Sequence, residues 1–252
     1  MLRRCGPPPA LAGVLAALAL AAAACSGDGE NGSGSGSPSV ASSAAESTTS
    51  DFSRVNEEQT GTVRLVDESW VCRGQVDMDL VKVEIRTIDR DAVYLRQECT
   101  GRIGRIEIDT WMGDGVKVNA PAPAAHDLVI EGGYIRCHDQ GPGGHQDGVQ
   151  VMGGERISFR GIEIECGSGP NAQFYVSALA PGLPTEVVCE GCFLGSGAAS
   201  TFFVDRSVRS GARNTLICPG RFHTVRIDET LAEDPVSEGN RILPENDPRC
   251  AA

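Results

Sequence analysis

Apolar and polar positions alternate along this chain in very short bursts. Asp114-Gly115-Val116-Lys117-Val118 recurs as Asp147-Gly148-Val149-Gln150-Val151, with weaker copies at Asp91-Ala92-Val93-Tyr94-Leu95, Ala172-Gln173-Phe174-Tyr175-Val176 and Ser200-Thr201-Phe202-Phe203-Val204. Each ends in three residues whose first and third side chains are apolar, the period-2 pattern of a strand with one buried face. Val93, Val116, Val149, Phe174 and Phe202 are then equivalent, at spacings of 23, 33, 25 and 28 residues. A second strand recurs at Leu128-Val129-Ile130-Glu131-Gly132, Ile157-Ser158-Phe159-Arg160-Gly161, Val187-Val188-Cys189-Glu190-Gly191 and Leu216-Ile217-Cys218-Pro219-Gly220, at spacings of 29, 30 and 29. A third apolar stretch follows the glycine, as in Tyr134-Ile135 and Ile162-Glu163-Ile164.

Short strands returning at these intervals, without helical periodicity between them, predict a solenoid of β coils; a sandwich would need antiparallel neighbours and lacks the translational repeat. On these residues the chain resembles the right-handed parallel β-helix superfamily, the pectate-lyase-like fold, over roughly residues 60–227. The run Asp-Gly-Val-Gln-Val-x-Gly-Gly-x-x-Ile-x-Phe-Arg-Gly-Ile-x-Ile, from Asp147 to Ile164, carries most of that resemblance. The expected fold is all-β, a right-handed parallel β-helix of about six or seven coils stacked about 4.8 Å apart, stapled by disulfides.

The cysteines test this register. Cys137 and Cys166 are 29 residues apart after the third strand, and Cys189 and Cys218 are also 29 apart in the second. Each pair should stack on adjacent coils, at a separation that a disulfide accepts. Cys72 and Cys99 could pair in the same way, leaving Cys192 and Cys250 to tie down the C-terminal tail. Only Cys189-x-x-Cys192 has metal-like spacing, with no second such pair to complete a zinc site.

The N-terminus places the chain outside the cytoplasm. Arg3 and Arg4 precede an apolar run over residues 10–24, and Cys25 follows directly. Those 15 residues fall short of the about 20 needed for a membrane span and read as a secretory signal. Ala22-Ala23-Ala24-Cys25, followed by Ser26-Gly27, resembles the lipobox of bacterial lipoproteins, which implies a lipidated Cys25. That family usually has Leu three places before the cysteine, whereas Leu20 stands five before. Residues 1–24 are then the signal peptide. Residues 25–50 are the lipidated cysteine and a Ser/Gly-rich tether with a reach of roughly 25–30 Å, and residues 51–252 are the β-helix domain with an irregular C-terminal tail. Membrane contact would run through the lipid alone, on the outer side of the cytoplasmic membrane.

Charge narrows the partners. With 34 acidic and 22 basic side chains the chain carries -12, and without Arg3 and Arg4 it carries 20 - 34 = -14, which argues against a nucleic-acid backbone as partner. Lys82 and Lys117 are the only lysines.

Candidate chemistry gathers on the first strand of each coil. Its middle residues, Tyr94, Lys117, Gln150, Tyr175 and Phe203, should form an outward column. In the polysaccharide lyases and hydrolases that the fold resembles, the groove over the equivalent sheet holds the sugar chain. The column therefore reads either as a glycan-binding surface or as an ordinary exposed β face. Asp114 and Asp147 should lie one rung apart at its edge. Two such carboxylates could work as a proton-donor pair at the separation of a retaining glycosidase. Equally, each Asp could bond to the backbone of a turn whose glycine takes a positive φ. The loop over residues 137–147 adds His138, Asp139, His145 and Gln146. There His145 could act as a base or orient Asp147, and the acids could hold a Ca²⁺. His126 and His223 read as ordinary exposed histidines.

Gln146-Asp147-Gly148 resembles the Asn-Thr-Asp-Gly element of polygalacturonases, but the chain lacks that family's later Asp-Asp and Gly-His-Gly elements. Nor does any residue match the arginine base of pectate lyases. The expectation is an extracytoplasmic lipoprotein that binds polysaccharide or a cell-envelope glycan. It would be a lyase or hydrolase built on Asp114, Lys117, His145 and Asp147, or alternatively a non-catalytic carbohydrate-binding or structural module.

Overall fold

The computed structural model describes residues 55–119, 124–138, 146–166, 172–178 and 182–251. The signal segment, Cys25, the tether, Asp139 and His145 lie outside these residues. The described chain is a parallel β-solenoid of about six turns, almost without helix. One sheet has eight strands: Val55–Asn56, Ser69–Cys72, Val93–Leu95, Val116–Val118, Asp147–Val151, Ala172–Val176, Ser200–Val204 and His223–Ile227, each paired in parallel with the next. The second strands of the coils run through Gln75–Ile85, Thr100–Ile103, His126–Cys137, Glu155–Cys166, Thr185–Glu190, Gly211–Arg213 and Val236–Glu238 in a twelve-stranded sheet.

The first-strand register is the one the repeat predicts. Val93, Val116, Val149, Phe174 and Phe202 face one another on successive rungs and continue to Val225. The first five point inward and are buried, and Phe159 meets Phe174 edge-on at 5.4 Å between ring centroids. Aliphatic side chains fill most of the remaining core, which is why twelve aromatics suffice for 252 residues.

Two backbone corners stack along the solenoid. Gly132, Gly161, Gly191, Asn214 and Gly239, at the bend between second and third strands, all have positive φ from 50° to 67°. At the start of the second strand Asp127, Arg156, Glu186, Arg209 and Asp234 do the same, at φ from 46° to 55°. Left-handed non-glycine residues are individually unfavourable. Here stacking supports them through inter-coil backbone hydrogen bonds, such as Glu186 N to Val208 O and Arg209 N to Glu233 O, both 2.8 Å. Alternating charge adds ion pairs along the same corner, with Arg156 Nη2 to Asp127 Oδ2 at 2.8 Å and Arg209 Nη2 to Glu186 Oε1 at 2.7 Å. Being exposed and screened by solvent, such pairs add little to stability.

The structure corrects the fourth copy of the second strand. Val188 and Cys189 pair with Gly211 and Ala212, whereas Leu216 and Ile217 belong to the third strand and pair with Phe193 and Leu194. This coil is short, and its true second strand, Gly211-Ala212-Arg213, is too small and polar to leave an apolar signature. The shift displaces Cys218 by a whole strand from Cys189, so the expected Cys189–Cys218 disulfide does not form. Cys189 instead bonds to Cys192 across the Glu190-Gly191 corner, and Cys218 bonds to Cys250, replacing the expected Cys192–Cys250 link. Cys72–Cys99 and Cys137–Cys166 form as expected. With Cys189 and Cys192 in a disulfide, neither offers a thiolate to zinc. The tail is still tied down: Cys250 is held by Cys218, and its carbonyl accepts from Ser196 Oγ at 2.7 Å.

Candidate functional site

The site predicted from sequence lies on the eight-stranded sheet, and its aspartates extend over three rungs. Asp91 Oδ1 accepts the Asp114 amide, Asp114 Oδ1 accepts the Asp147 amide, and Asp147 Oδ1 accepts the Ala172 amide, each at 2.8 Å. One carboxylate oxygen per coil therefore closes the backbone of the next coil. Of the two readings of Asp-Gly, this is the structural one, with a changed role for glycine. Gly115 and Gly148 do not adopt positive φ. They are required because a Cβ on Gly115 would meet Gly148 O at 2.6 Å, and one on Gly148 would meet Gln173 O at 2.5 Å. The coils touch backbone to backbone at this corner.

The second carboxylate oxygen explains the column. Asp114 Oδ2 takes Lys117 Nζ at 3.0 Å, and Asp147 Oδ2 takes Gln150 Nε2 at 3.0 Å. Lys117 also lies 3.5 Å from Asp91 Oδ2, while Tyr94 sits against Asp91. Each aspartate is thus served by the side chain three residues on: Tyr94, Lys117 or Gln150. Where the first position is Ala172 or Ser200 instead, the column residue has no carboxylate to serve. Tyr175 and Phe203 stack with ring centroids 4.9 Å apart, and the Arg226 guanidinium covers Phe203 at 4.7 Å. Phe203 is on the outer face as predicted, but it is only 8% exposed because its neighbours occupy both ring faces. The Tyr94 ring is likewise covered, by Arg96 at 4.3 Å. Rings in this column offer edges and hydroxyls to a ligand more than open faces.

Burial sets the electrostatics. Asp114 is 2% exposed and Asp147 is 1% exposed. Burial first, and the nearby Asp114 second, push the Asp147 carboxyl up to about 8, against the pull of the Ala172 amide, Gln150 and Lys117. Burial and Asp91 likewise raise Asp114. Burial opposes charge on Lys117, but Asp114 and Asp91 outweigh it and hold the ammonium above the usual lysine value. Burial thus disfavours the ionised form of both aspartates, most at Asp147, while Lys117 beside Asp114 pulls that carboxyl the other way.

Asp114, Lys117 and Asp147 do come together, but a general acid must be within hydrogen-bond reach of its substrate. Carboxyls this buried, with both oxygens engaged by the protein, are withheld from one in this conformation. His145 lies outside the described residues. His138 stacks on Trp111 at 3.9 Å with Nε2 3.5 Å from Asp109 Oδ1, and His126 lies beside Asp127. Among the described residues no group of three or more His, Cys, Asp or Glu is placed to hold a metal ion, and Asp139 of the Ca²⁺ expectation is not among them.

Sequence reasoning missed Asp91 as a full member of the ladder, because Ala92 replaces the glycine of the motif. It also missed a crevice of about 300 Å³ where the third strands end, lined by Arg136, His138, Glu165, Ser196 and Arg249. The Cys137–Cys166 disulfide lines it too, and the C-terminal tail makes one wall. No sequence signal marks it, since its wall is brought in by the Cys218–Cys250 bond. Compared with known proteins, the chain matches no family model, no curated protein and no solved structure.

Proposed function

We propose that this chain is an extracytoplasmic lipoprotein, anchored through Cys25, whose solenoid binds polysaccharide along the eight-stranded sheet without cleaving it. The observation that carries the non-catalytic reading is the aspartate ladder: the carboxyls that would serve a lyase or hydrolase are committed to the backbone and to their own column. What remains for a ligand is a row of Tyr94, Lys117 and Tyr175, each pre-positioned by a neighbour, while Gln150, 6% exposed and bound to Asp147, forms the floor of its coil. A repeating polymer matches such a row, and rigid donors cost little ordering entropy on binding. The twelve-stranded sheet differs in carrying exposed ion pairs, among them Arg102–Glu131 at 2.8 Å and Arg213–Glu238 at 3.0 Å. Four disulfides support an oxidising compartment for the domain.

A second reading has one argument in its favour: burial and the nearby Asp114 raise the Asp147 carboxyl to about 8, the direction that suits a general acid. A polysaccharide panel separates the two. The binding module retards on affinity gels containing its glycan, weakened by Tyr175→Ala, and yields neither reducing ends nor unsaturated products. Turnover that Asp147→Asn abolishes would overturn it. Anchoring is checked by labelling with a fatty-acid analogue, which Cys25→Ser should remove.

A further inference from the structure

The two ends of the solenoid differ. On the first coil the inward side chains of Thr60–Val66, Val63 and Leu65, are buried. On the last coil the inward positions are left uncovered. Val225, which continues the row of Val149, Phe174 and Phe202, is 36% exposed, and Ile242, which continues Leu194 and Ile217, is 59% exposed. Phe222 and Leu231 add exposed apolar surface to the same coil. The backbone is open there as well. Among the described residues His223–Ile227 has Ser200–Val204 as its one neighbour, so it is an edge strand of the eight-stranded sheet. Asp228 N donates back to Val204 O at 3.0 Å, and because strand backbone groups alternate in direction, Val225 and Ile227 turn their N–H and C=O groups to the open edge. Solenoids that stay monomeric close such an end with a polar cap.

Charge decides what covers it. The edge strand is polarised, with Arg221 and His223 at its start and Asp228 and Glu229 at its end. A second copy running antiparallel brings the basic start of each strand to the acidic end of the other. A two-fold axis through Val225, perpendicular to the sheet, pairs positions equidistant from that residue: His223 with Ile227, Thr224 with Arg226 and, just past the strand, Arg221 with Glu229. Because Val225 faces the edge, its N–H and C=O would bond to those of its own copy, and both cores stay on the same side of the joined sheet. Moving the axis to Arg226 would set that guanidinium against itself. The first coil is a poorer match for this end, since its inward side chains are already covered. We propose that two copies of this chain join at their C-terminal ends, edge strand to edge strand about Val225, burying the apolar side chains of both last coils and continuing one eight-stranded sheet into the other.

The test uses the full exported chain carrying Cys25→Ser, which removes the lipid and a thiol that could link copies by itself. Sedimentation velocity over a dilution series should show a monomer–dimer equilibrium. Arg221→Glu and Glu229→Arg each set like charges opposite one another twice per dimer, and each should weaken association at least roughly tenfold, about 1.4 kcal/mol. The double variant restores opposite charges and should return close to the parental constant. Val225→Lys should abolish the dimer, with native circular dichroism confirming that the coil still folds. Arg160→Glu, a charge reversal in mid-solenoid beside Glu190, should dimerise like the parent. A short bismaleimide should link copies carrying Val225→Cys and leave unlinked those carrying Val66→Cys, whose exposed side chain lies on the first coil. A monomer at every concentration, open-ended head-to-tail assemblies, a double variant as weak as the single ones, or equal linking through Val66→Cys would overturn the assignment.

Discussion

Asp147 is where the ladder reading makes its strongest demand. Its carboxyl is pushed from 3.8 to about 8 in the folded chain, so between those pH values the native state holds a proton that the unfolded chain releases. Stability must then fall as pH rises across that window, with the full penalty reached above about 8. The ceiling on this penalty is on the order of 6 kcal/mol, a large share of a domain's stability. Asp147→Asn keeps an oxygen for the Ala172 amide, and turning the Gln150 amide over lets it accept from the new NH₂. Asp147→Ala leaves both donors unmade in a buried corner, which costs about 2–4 kcal/mol. Urea denaturation followed by circular dichroism at pH 5, 7 and 9 distinguishes them. The Asn variant should match the parent at pH 5, exceed it at pH 9 and lose most of the pH slope, while the Ala variant should be weaker than the parent at pH 5 and 7. An Asn variant as unstable as the Ala variant, or one with the parental slope, would refute the argument.

Other consequences can be measured on the same material. Non-reducing peptide mapping should find Cys72–Cys99, Cys137–Cys166, Cys189–Cys192 and Cys218–Cys250, and a Cys189–Cys218 peptide would break the register. Removing the Cys137–Cys166 link, which closes a separation of 29 residues, should lower stability by roughly 3–4 kcal/mol in urea titrations of the double Ser variant. Gly133→Ala should fail to reach native circular dichroism or lose more than about 3 kcal/mol, because its Cβ would meet Ile106 O at 1.7 Å and its φ is +106°. Asn214→Gly should be tolerated within about 1 kcal/mol, since its neighbours in that stacked corner are glycines at the same φ, whereas Asn214→Val should cost more.

What could be read from the chain divides along physical lines. The first strands were legible because each buries two large apolar side chains around an outward one, a pattern that survives variation in the loops. The second strands were legible while they carried Leu128 and Ile130 or Ile157 and Phe159, and failed at Gly211-Ala212-Arg213, where inward Ala212 leaves no contrast. The stacked left-handed corner at Asp127, Arg156, Glu186, Arg209 and Asp234 was invisible, because charged residues at positive φ obey no local preference and are held there by neighbouring coils. Two disulfides followed from register. The other two depended on where a short coil placed Cys218 and on a local corner joining Cys189 to Cys192.

The candidate site illustrates a general ambiguity in repeated aspartates. Carboxylates one rung apart with a lysine between them look like acid–base machinery, and the same geometry arises whenever a coil needs an acceptor for the next coil's amide. The partners three residues on separate the two cases. A catalytic dyad leaves at least one oxygen free toward solvent, whereas Asp114 and Asp147 each use one oxygen on a backbone amide and the other on Lys117 or Gln150. Beyond the ladder, where Ala172 and Ser200 replace aspartate, the column has no carboxylate to satisfy, and Tyr175 and Phe203 stack on each other instead. Pairing each carboxylate with the donor three residues on is what a structural ladder requires, because a donor without its carboxylate would leave a buried or half-buried polar group unpaired. Exchanging partners between rungs tests it directly. Lys117→Gln together with Gln150→Lys restores a donor to each aspartate and should cost far less than Lys117→Ala and Gln150→Ala combined, and equal losses would mean that the side chains are not there for the carboxylates.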